Sequence, residues 1–183
     1  QIWRGWDMDK NDIFITPLGA KPHAGLLRFR THHTRCALGG AGLTATKQEG
    51  DRKTPIGRFP LRRVWWRPDR YQLRETRLPT RMIYQKCGWS DDISADDYNL
   101  PICRPYRPSH ERLWRHDRLY DVFIELGVND APPQKGGGSA IFLHLEKNNF
   151  QPTLGCIAVS RTSMDFVLSH ARLDTHIRIG EKR

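Results

Sequence analysis

Cys156 and His144 carry the side chains and the local surroundings that nucleophilic catalysis needs. A cysteine attacks as its thiolate, and an adjacent imidazole can take its proton and lower its pKa from ~8.5 by several units, with no third acidic group required. Gly155 stands directly before the cysteine in Thr153-Leu154-Gly155-Cys156, after the turn marked by Pro152. A glycine there lets the chain turn sharply and leaves the N–H groups of Gly155 and Cys156 to face a carbonyl oxygen, which is how an oxyanion hole is built. Segment 140–145 alternates, so Ala140, Phe142 and His144 share one side while Ile141, Leu143 and Leu145 share the other. Along 155–159 the same rule turns Cys156 and Ala158 away from Ile157 and Val159. Thiol and imidazole meet if these two strands are neighbours. Against this stands a plainer reading, in which His144 is a hydrogen-bonded strand end and Cys156 a small buried hydrophobe. Type and spacing alone leave the two readings level.

The elements that must position the pair are mostly strands. Short runs of β-branched and aromatic residues recur between Gly, Pro, Asn and Asp clusters, giving candidate strands at 12–16, 26–30, 36–38, 58–66, 120–126, 140–145, 155–159 and 176–179. Short strands at such spacing predict a sandwich or barrel. One helix follows the seventh strand: Thr162 and Asp165 match a capping box, and Met164, Val167, Leu168 and Ala171 recur at the spacing of one buried face. Ser109-His110-Glu111-Arg112 has the same cap pattern before Leu113 and Trp114, predicting a helical turn. Residues 67–108 are rich in Pro, Arg, Asp and Tyr without a sustained period, and read as a long loop excursion over the sheet of the functional or lid-like kind. The expectation is one domain over 1–183, long enough to bury a core unaided.

Thirty Lys and Arg against 20 Asp and Glu give a formal charge of +10, which favours an anionic partner. The basic residues are scattered from Arg4 to Arg183, so nucleic acid and a carboxylate-rich wall polymer fit equally. The basic and aromatic runs Arg104-Pro105-Tyr106-Arg107 and Leu113-Trp114-Arg115-His116 suit base stacking or the rim of a cleft. No apolar run approaches the ~20 residues of a membrane span, and the opening at Gln1 without a charged and apolar leader fits a mature secreted protein or a trimmed piece alike. Cys36, Cys87, Cys103 and Cys156 form no C-x-x-C pair, which argues against a zinc ribbon or thioredoxin-type site. The loop-like stretch between Cys87 and Cys103 suits either a disulfide staple or two buried free thiols. Lys135-Gly136-Gly137-Gly138-Ser139 lacks the phosphate-loop pattern and precedes a strand, so it reads as a flexible turn; His32-His33 lacks metal-ligand spacing.

The order His144, Thr153, Gly155, Cys156 resembles the signature of the L,D-transpeptidase catalytic (YkuD-type) domain, a strand-borne His followed by a turn and Ser/Thr-x-Gly-Cys. Glu49-Gly50-Asp51 with Thr54-Pro55-Ile56-Gly57-Arg58-Phe59 resembles that family's upstream turn. Cys87-Gly88-Trp89, Tyr98-Asn99, Ser109-His110-Glu111-Arg112-Leu113-Trp114 and Gly127-Val128-Asn129-Asp130-Ala131-Pro132-Pro133 look like its proteobacterial branch. The resemblance covers roughly 38–159 and is carried by many ordered motifs. It implies a mainly β fold, a YkuD-like sandwich or barrel of mixed sheets with one helix near the C-terminal end and a long loop excursion. It further implies periplasmic or secreted work on peptidoglycan stem peptides, not nucleic acid, without metal or cofactor. Cys156 would form a thioester with the donor stem at diaminopimelate, with His144 as base, a backbone carbonyl orienting its other nitrogen, Gly155 and Cys156 as oxyanion donors, and Trp89, His110, Asn129 and Thr153 as substrate-binding residues. An acceptor amine would then give a 3-3 or 1-3 crosslink, and water would give an L,D-carboxypeptidase or endopeptidase. The departures are Ala158, where better-known members carry Arg, and Leu154, where they carry His; both bear on substrate choice. A non-enzymatic polyanion-binding module is the rival reading, for which Cys156 is dispensable.

Overall fold

Alternation of apolar and polar positions gives strands whose two faces pack against different things. In the computed structural model, which describes residues 9–180, the strands in chain order are β1 (Ile13–Pro17), β2 (Ala24–Phe29), β3 (His32–Ala37), β4 (Leu43–Thr44), β5 (Thr54–Pro55), β6 (Gly57–Trp66), β7 (Thr80–Met82), β8 (Cys87–Ser90), β9 (Pro101–Cys103), β10 (His110–Arg112), β11 (Val122–Leu126), β12 (Phe142–Leu145), β13 (Ile157–Val159) and β14 (His176–Ile179). Helix α1 (Arg161–His170) joins β13 to β14. Each of the eight expected strands is present, 176–179 with the same ends as β14 and the others with shifted ends; 36–38 proves to be mainly the end of β3.

The hydrogen-bonded order β11-β12-β13-β3-β2-β1-β14-β6 returns from β6 to β11 and closes an eight-strand barrel, so the alternatives of sandwich and barrel resolve to a barrel. Strand β7 adds to β6 outside the ring. Inward residues such as Ile13, Leu27, Val64, Ile124, Leu143, Ile157 and Ile177 form one buried cluster, to which α1 contributes Met164, Val167 and Leu168. Outward residues of the same strands, Trp65, Phe123 and Phe142, form a second cluster with Trp89 and Leu113. That second cluster lies between the barrel wall and a three-stranded sheet of order β10-β8-β9. Its rings interlock: Phe123 stacks on Phe142 at 4.3 Å between centroids, and Trp89 meets Phe142 edge-on at 5.0 Å.

Three local expectations are corrected. The stretch 109–112 is no helical turn: its residues extend as β10 because β8 offers a ladder, with His110 opposite Ser90 and Arg112 opposite Gly88. The excursion 67–108 is less loop-like than its composition suggests, since β7, β8 and β9 lie within it. The cap of α1 is Ser160, whose hydroxyl accepts the Ser163 N–H at 3.2 Å, not Thr162 with Asp165; Asp165 instead accepts the Tyr71 hydroxyl. The register of β8 and β9 sets Cys87 opposite Cys103, and both are free thiols, Cys87 half-buried and Cys103 exposed. Among the described residues no helix is long and apolar enough to cross a membrane.

The corrected cap is testable. Ser160→Ala should cost about 1 kcal/mol, the usual worth of an N-cap hydroxyl. Thr162→Ala, at an exposed helical position, should stay within about 0.5 kcal/mol of the parent. Equilibrium urea denaturation of both variants decides it, and equal losses would return the cap to Thr162.

Candidate active site

Strands β12 and β13 run parallel, with Leu143 opposite Ile157 and His144 opposite Ala158. Odd-numbered residues of both strands enter the barrel, so Phe142, His144, Cys156 and Ala158 all face outward. Cys156 and His144 thereby line one cleft of about 560 Å³, with Ala158 and Thr153 beside them. The arrangement expected from alternation is the one found.

The turn into Cys156 is held from several sides. Thr153 N–H donates to Leu38 O and Thr153 O accepts from Gly40 N–H, each at 3.0 Å. Thr153 Oγ1 donates to Cys156 O at 2.6 Å and accepts the Gly155 N–H at 3.1 Å. Gly155 has φ +141°, and a Cβ there would meet the Lys53 carbonyl oxygen at 3.0 Å, so glycine is required both by conformation and by space. The expected oxyanion pair is thus only half available in this state: the Gly155 N–H is engaged by Thr153.

His144 Nδ1 lies 2.8 Å from the Leu145 carbonyl oxygen. A carbonyl only accepts, so Nδ1 carries the proton and Nε2 of the neutral ring is the basic nitrogen. The ring packs edge-on against Tyr120 at 5.4 Å. The Cys156 thiol donates to the Ala140 carbonyl oxygen at 3.1 Å, and its sulfur accepts the Phe142 N–H at 3.3 Å. Ala140 presents that carbonyl from a left-handed conformation, φ +51°, which costs a residue with a Cβ roughly 1–2 kcal/mol. Asn99 offsets the strain. Its Oδ1 accepts both Ala140 N–H and Trp89 Nε1–H at 3.0 Å, while its Nδ2 donates to Val128 O at 3.1 Å and Asn129 O at 2.7 Å.

Burial dominates the electrostatics of the pair. It pushes the Cys156 thiol up to about 12, with the nearby Glu111 carboxylate adding to the rise. It pulls His144 down to about 4, against the upward pull of its bond to Leu145 O. Burial thus works against the imidazole-acidified thiol expected from the sequence and favours neutral thiol and neutral imidazole in the resting protein. Cys36, inside the barrel cluster, is likewise lifted to about 12 by burial alone.

Trp89, His110 and Asn129 are outside the cleft lining. Trp89 is a core ring between Trp65 and Phe142. His110 Nδ1 bonds Pro108 O at 2.9 Å, with its ring against Tyr106. Asn129 cinches the turn read as flexible: its Nδ2 donates to Gln134 O and Gly138 O at 2.9 Å, and its Oδ1 accepts Gln134 N–H at 2.8 Å. In this structure all three brace the frame around the cleft. The cleft lining includes Glu111, Asp117 and Tyr120, given no site role from the sequence, together with Arg115 from the run expected at a cleft rim. Lys47, Glu49 and Arg52 join them from in and around the Glu49-Gly50-Asp51 motif. Asp51 pairs with Lys47, and Glu49 accepts Tyr98 OH at 2.6 Å and Ser139 Oγ at 2.7 Å, tying that loop to the excursion. The signal for Glu111 was its place between His110 and Arg112 in a strand that local sequence disguised as a helix start. Among the described residues no group of His, Cys, Asp and Glu is arranged to hold a metal ion.

A family model described as the L,D-transpeptidase catalytic domain (YkuD) matches residues 25–179. No curated protein and no solved structure gives a match.

Thiol labelling checks the resting state. Cys103, being exposed, should alkylate readily at neutral pH, whereas Cys156 should lag well behind it and keep accelerating beyond pH 10. Peptide-resolved iodoacetamide kinetics measure both. Faster labelling of Cys156 than Cys103 at pH 7 would mean a preformed thiolate.

Proposed function

Since the chain belongs to the L,D-transpeptidase catalytic-domain (YkuD) family, we propose that it crosslinks peptidoglycan through a thioester on Cys156. The family consists of cysteine-dependent enzymes acting on the cell wall, which puts their work in the periplasm or outside the cell. The observation that carries the reading is the parallel register of β12 and β13, which sets one thiol and one imidazole on the same outward face inside one cleft.

The donor is a tetrapeptide stem. Its peptide bond after the L centre of diaminopimelate enters beside Cys156, and the thiol leaves the Ala140 carbonyl for His144 Nε2. Proton transfer and attack on the carbonyl carbon proceed together, because neither charged form is stable beforehand. Cys156 N–H is the first oxyanion donor, and Gly155 N–H joins if Thr153 gives it up. His144 then protonates the departing D-alanine amine, leaving the thioester. An amine of a second stem resolves it into a 3-3 or 1-3 crosslink, and water resolves it by hydrolysis.

Charge argues against a nucleic-acid channel. The cleft is lined by four acidic side chains (Glu49, Asp91, Glu111, Asp117) and four basic ones (Lys47, Arg52, Arg115, Lys147), so the net +10 is not gathered there. Ala158, where better-known members carry Arg, is a buried cleft residue, and Arg115 reaches the same cleft from the segment after β10.

Brief exposure to a tetrapeptide stem should add the acyl mass to the intact protein. Cys156→Ala should show no adduct at an unchanged melting temperature, and an adduct surviving in that variant would remove the mechanism. His144→Ala should slow acylation by ~10²-fold to 10⁴-fold, the worth of a positioned proton acceptor.

The pH profile follows from the same burial. A base whose pKa is depressed stays unprotonated further into acid, so His144 should remain competent down to about pH 4. Acylation at pH 5 should accordingly stay close to its rate at pH 7, in stopped reactions read by mass. A loss centred on the ordinary histidine value, ~6.5, would show that the ring is solvated in use.

A further inference from the structure

The cleft holds a second group able to move protons, and the acylation half of the reaction does not use it. Glu111 sits at the middle of β10, opposite Trp89, and the strand's alternation turns it toward the cleft while His110 and Arg112 face elsewhere. Its side chain is 28% exposed, enough for a ligand to reach. Tyr120 OH donates to Oε1 at 2.6 Å, and Arg115 Nη1 approaches the same oxygen at 3.5 Å. Arg115 is committed elsewhere, holding Asp117 through Nε at 2.9 Å and Nη2 at 2.5 Å. Both contacts on Glu111 thus fall on Oε1, and Oε2 is the oxygen left for a ligand. Glu111 and Cys156 line the same cleft, and of the neighbouring charges that of Glu111 acts most strongly on the thiol.

We propose that Glu111 is the base for the second half-reaction, binding the ammonium group of the acceptor stem and taking one of its protons. This rests on the thioester reading above. The acceptor is a primary amine, which arrives protonated at neutral pH and attacks only as the free amine. One proton passes from R–NH3+ to Glu111 Oε2. The nitrogen lone pair then attacks the thioester carbon, and His144 Nε2 takes a second proton from the nitrogen. The C–S bond breaks, and His144 returns that proton to Sγ. The products are an amide, the free thiol and one proton released from Glu111 to solvent. Burial raises the Glu111 carboxyl, partly offset by Tyr120 and Arg115 and reinforced by Asp91 and Asp117, which makes it a better proton acceptor than a solvated carboxylate.

Glu111→Gln keeps size and polarity but cannot take the proton. With a tetrapeptide donor and a peptide-amine acceptor, the ratio of crosslinked to hydrolysed product should fall about 10²-fold in this variant, and the pH at which crosslinking is half-maximal should rise. Hydroxylamine, which is already unprotonated at neutral pH, should resolve the thioester at the parent rate in the same variant, and Glu111→Asp should restore part of the peptide-amine rate. An unchanged product ratio and pH profile in Glu111→Gln would overturn the assignment, as would an equal loss with hydroxylamine, which would make Glu111 structural. If the parent protein forms no adduct on Cys156 at all, the thioester reading itself fails; if the adduct forms and only the Glu111 comparison is flat, that reading stands and this one falls.

Discussion

Everything at the cleft depends on the register of one parallel strand pair. Because side chains alternate with period two, sliding β13 by a single residue against β12 would send Cys156 and Ala158 into the barrel and bring Ile157 and Val159 out. The barrel interior forbids that slip, since Leu143, Leu145, Ile157 and Val159 are all packed in its core. Closure through the β6–β11 pairing removes the free edges along which strands could drift. The chemistry is therefore held in place by hydrophobic burial on the opposite face of the same two strands.

The outer layer contributes Glu111 of β10 to the cleft and buries the aromatic residues beside it. The small sheet seals Phe123, Phe142 and Trp65 beneath Trp89, and Asn99 ties it to the barrel by bonding Trp89 on one hand and Ala140 N–H, Val128 O and Asn129 O on the other. One buried amide thus couples the strained Ala140 to the layer that shields the thiol. The same exclusion of water that lifts Cys156 and depresses His144 also strengthens each interaction made by charge inside the cleft. On the proposed mechanism, reactivity is then a property of the complex with substrate, whose carbonyl supplies the reason for the proton to move.

How much of this the sequence disclosed varied with how local the cause was. The eight barrel strands, and the side of its strand on which His144 or Cys156 lies, followed from signals contained in each segment; that β12 and β13 are neighbours did not. Strand β10 did not, because Ser109-His110-Glu111-Arg112 satisfies a helix-start pattern locally and only the ladder offered by β8 decides otherwise. Glu111, read there only as part of a cap pattern and a motif, was given no place in the cleft for the same reason. Trp89, His110 and Asn129 were singled out by likeness of motif, and a motif marks that a residue matters without saying whether it touches ligand or holds the frame. The protonation states were also illegible, since burial is a sum over the whole fold.

The quiet state of the thiol bears on durability. Peroxides and foreign disulfides react with the thiolate, and the reversible sulfenic acid they produce proceeds to irreversible acids with further exposure. Outside the cytoplasm, where this family works and the surroundings are oxidising, a permanently ionised cysteine would be consumed between catalytic events. On the proposed mechanism, a sulfur that keeps its proton against the Ala140 carbonyl until a substrate binds is spared that loss.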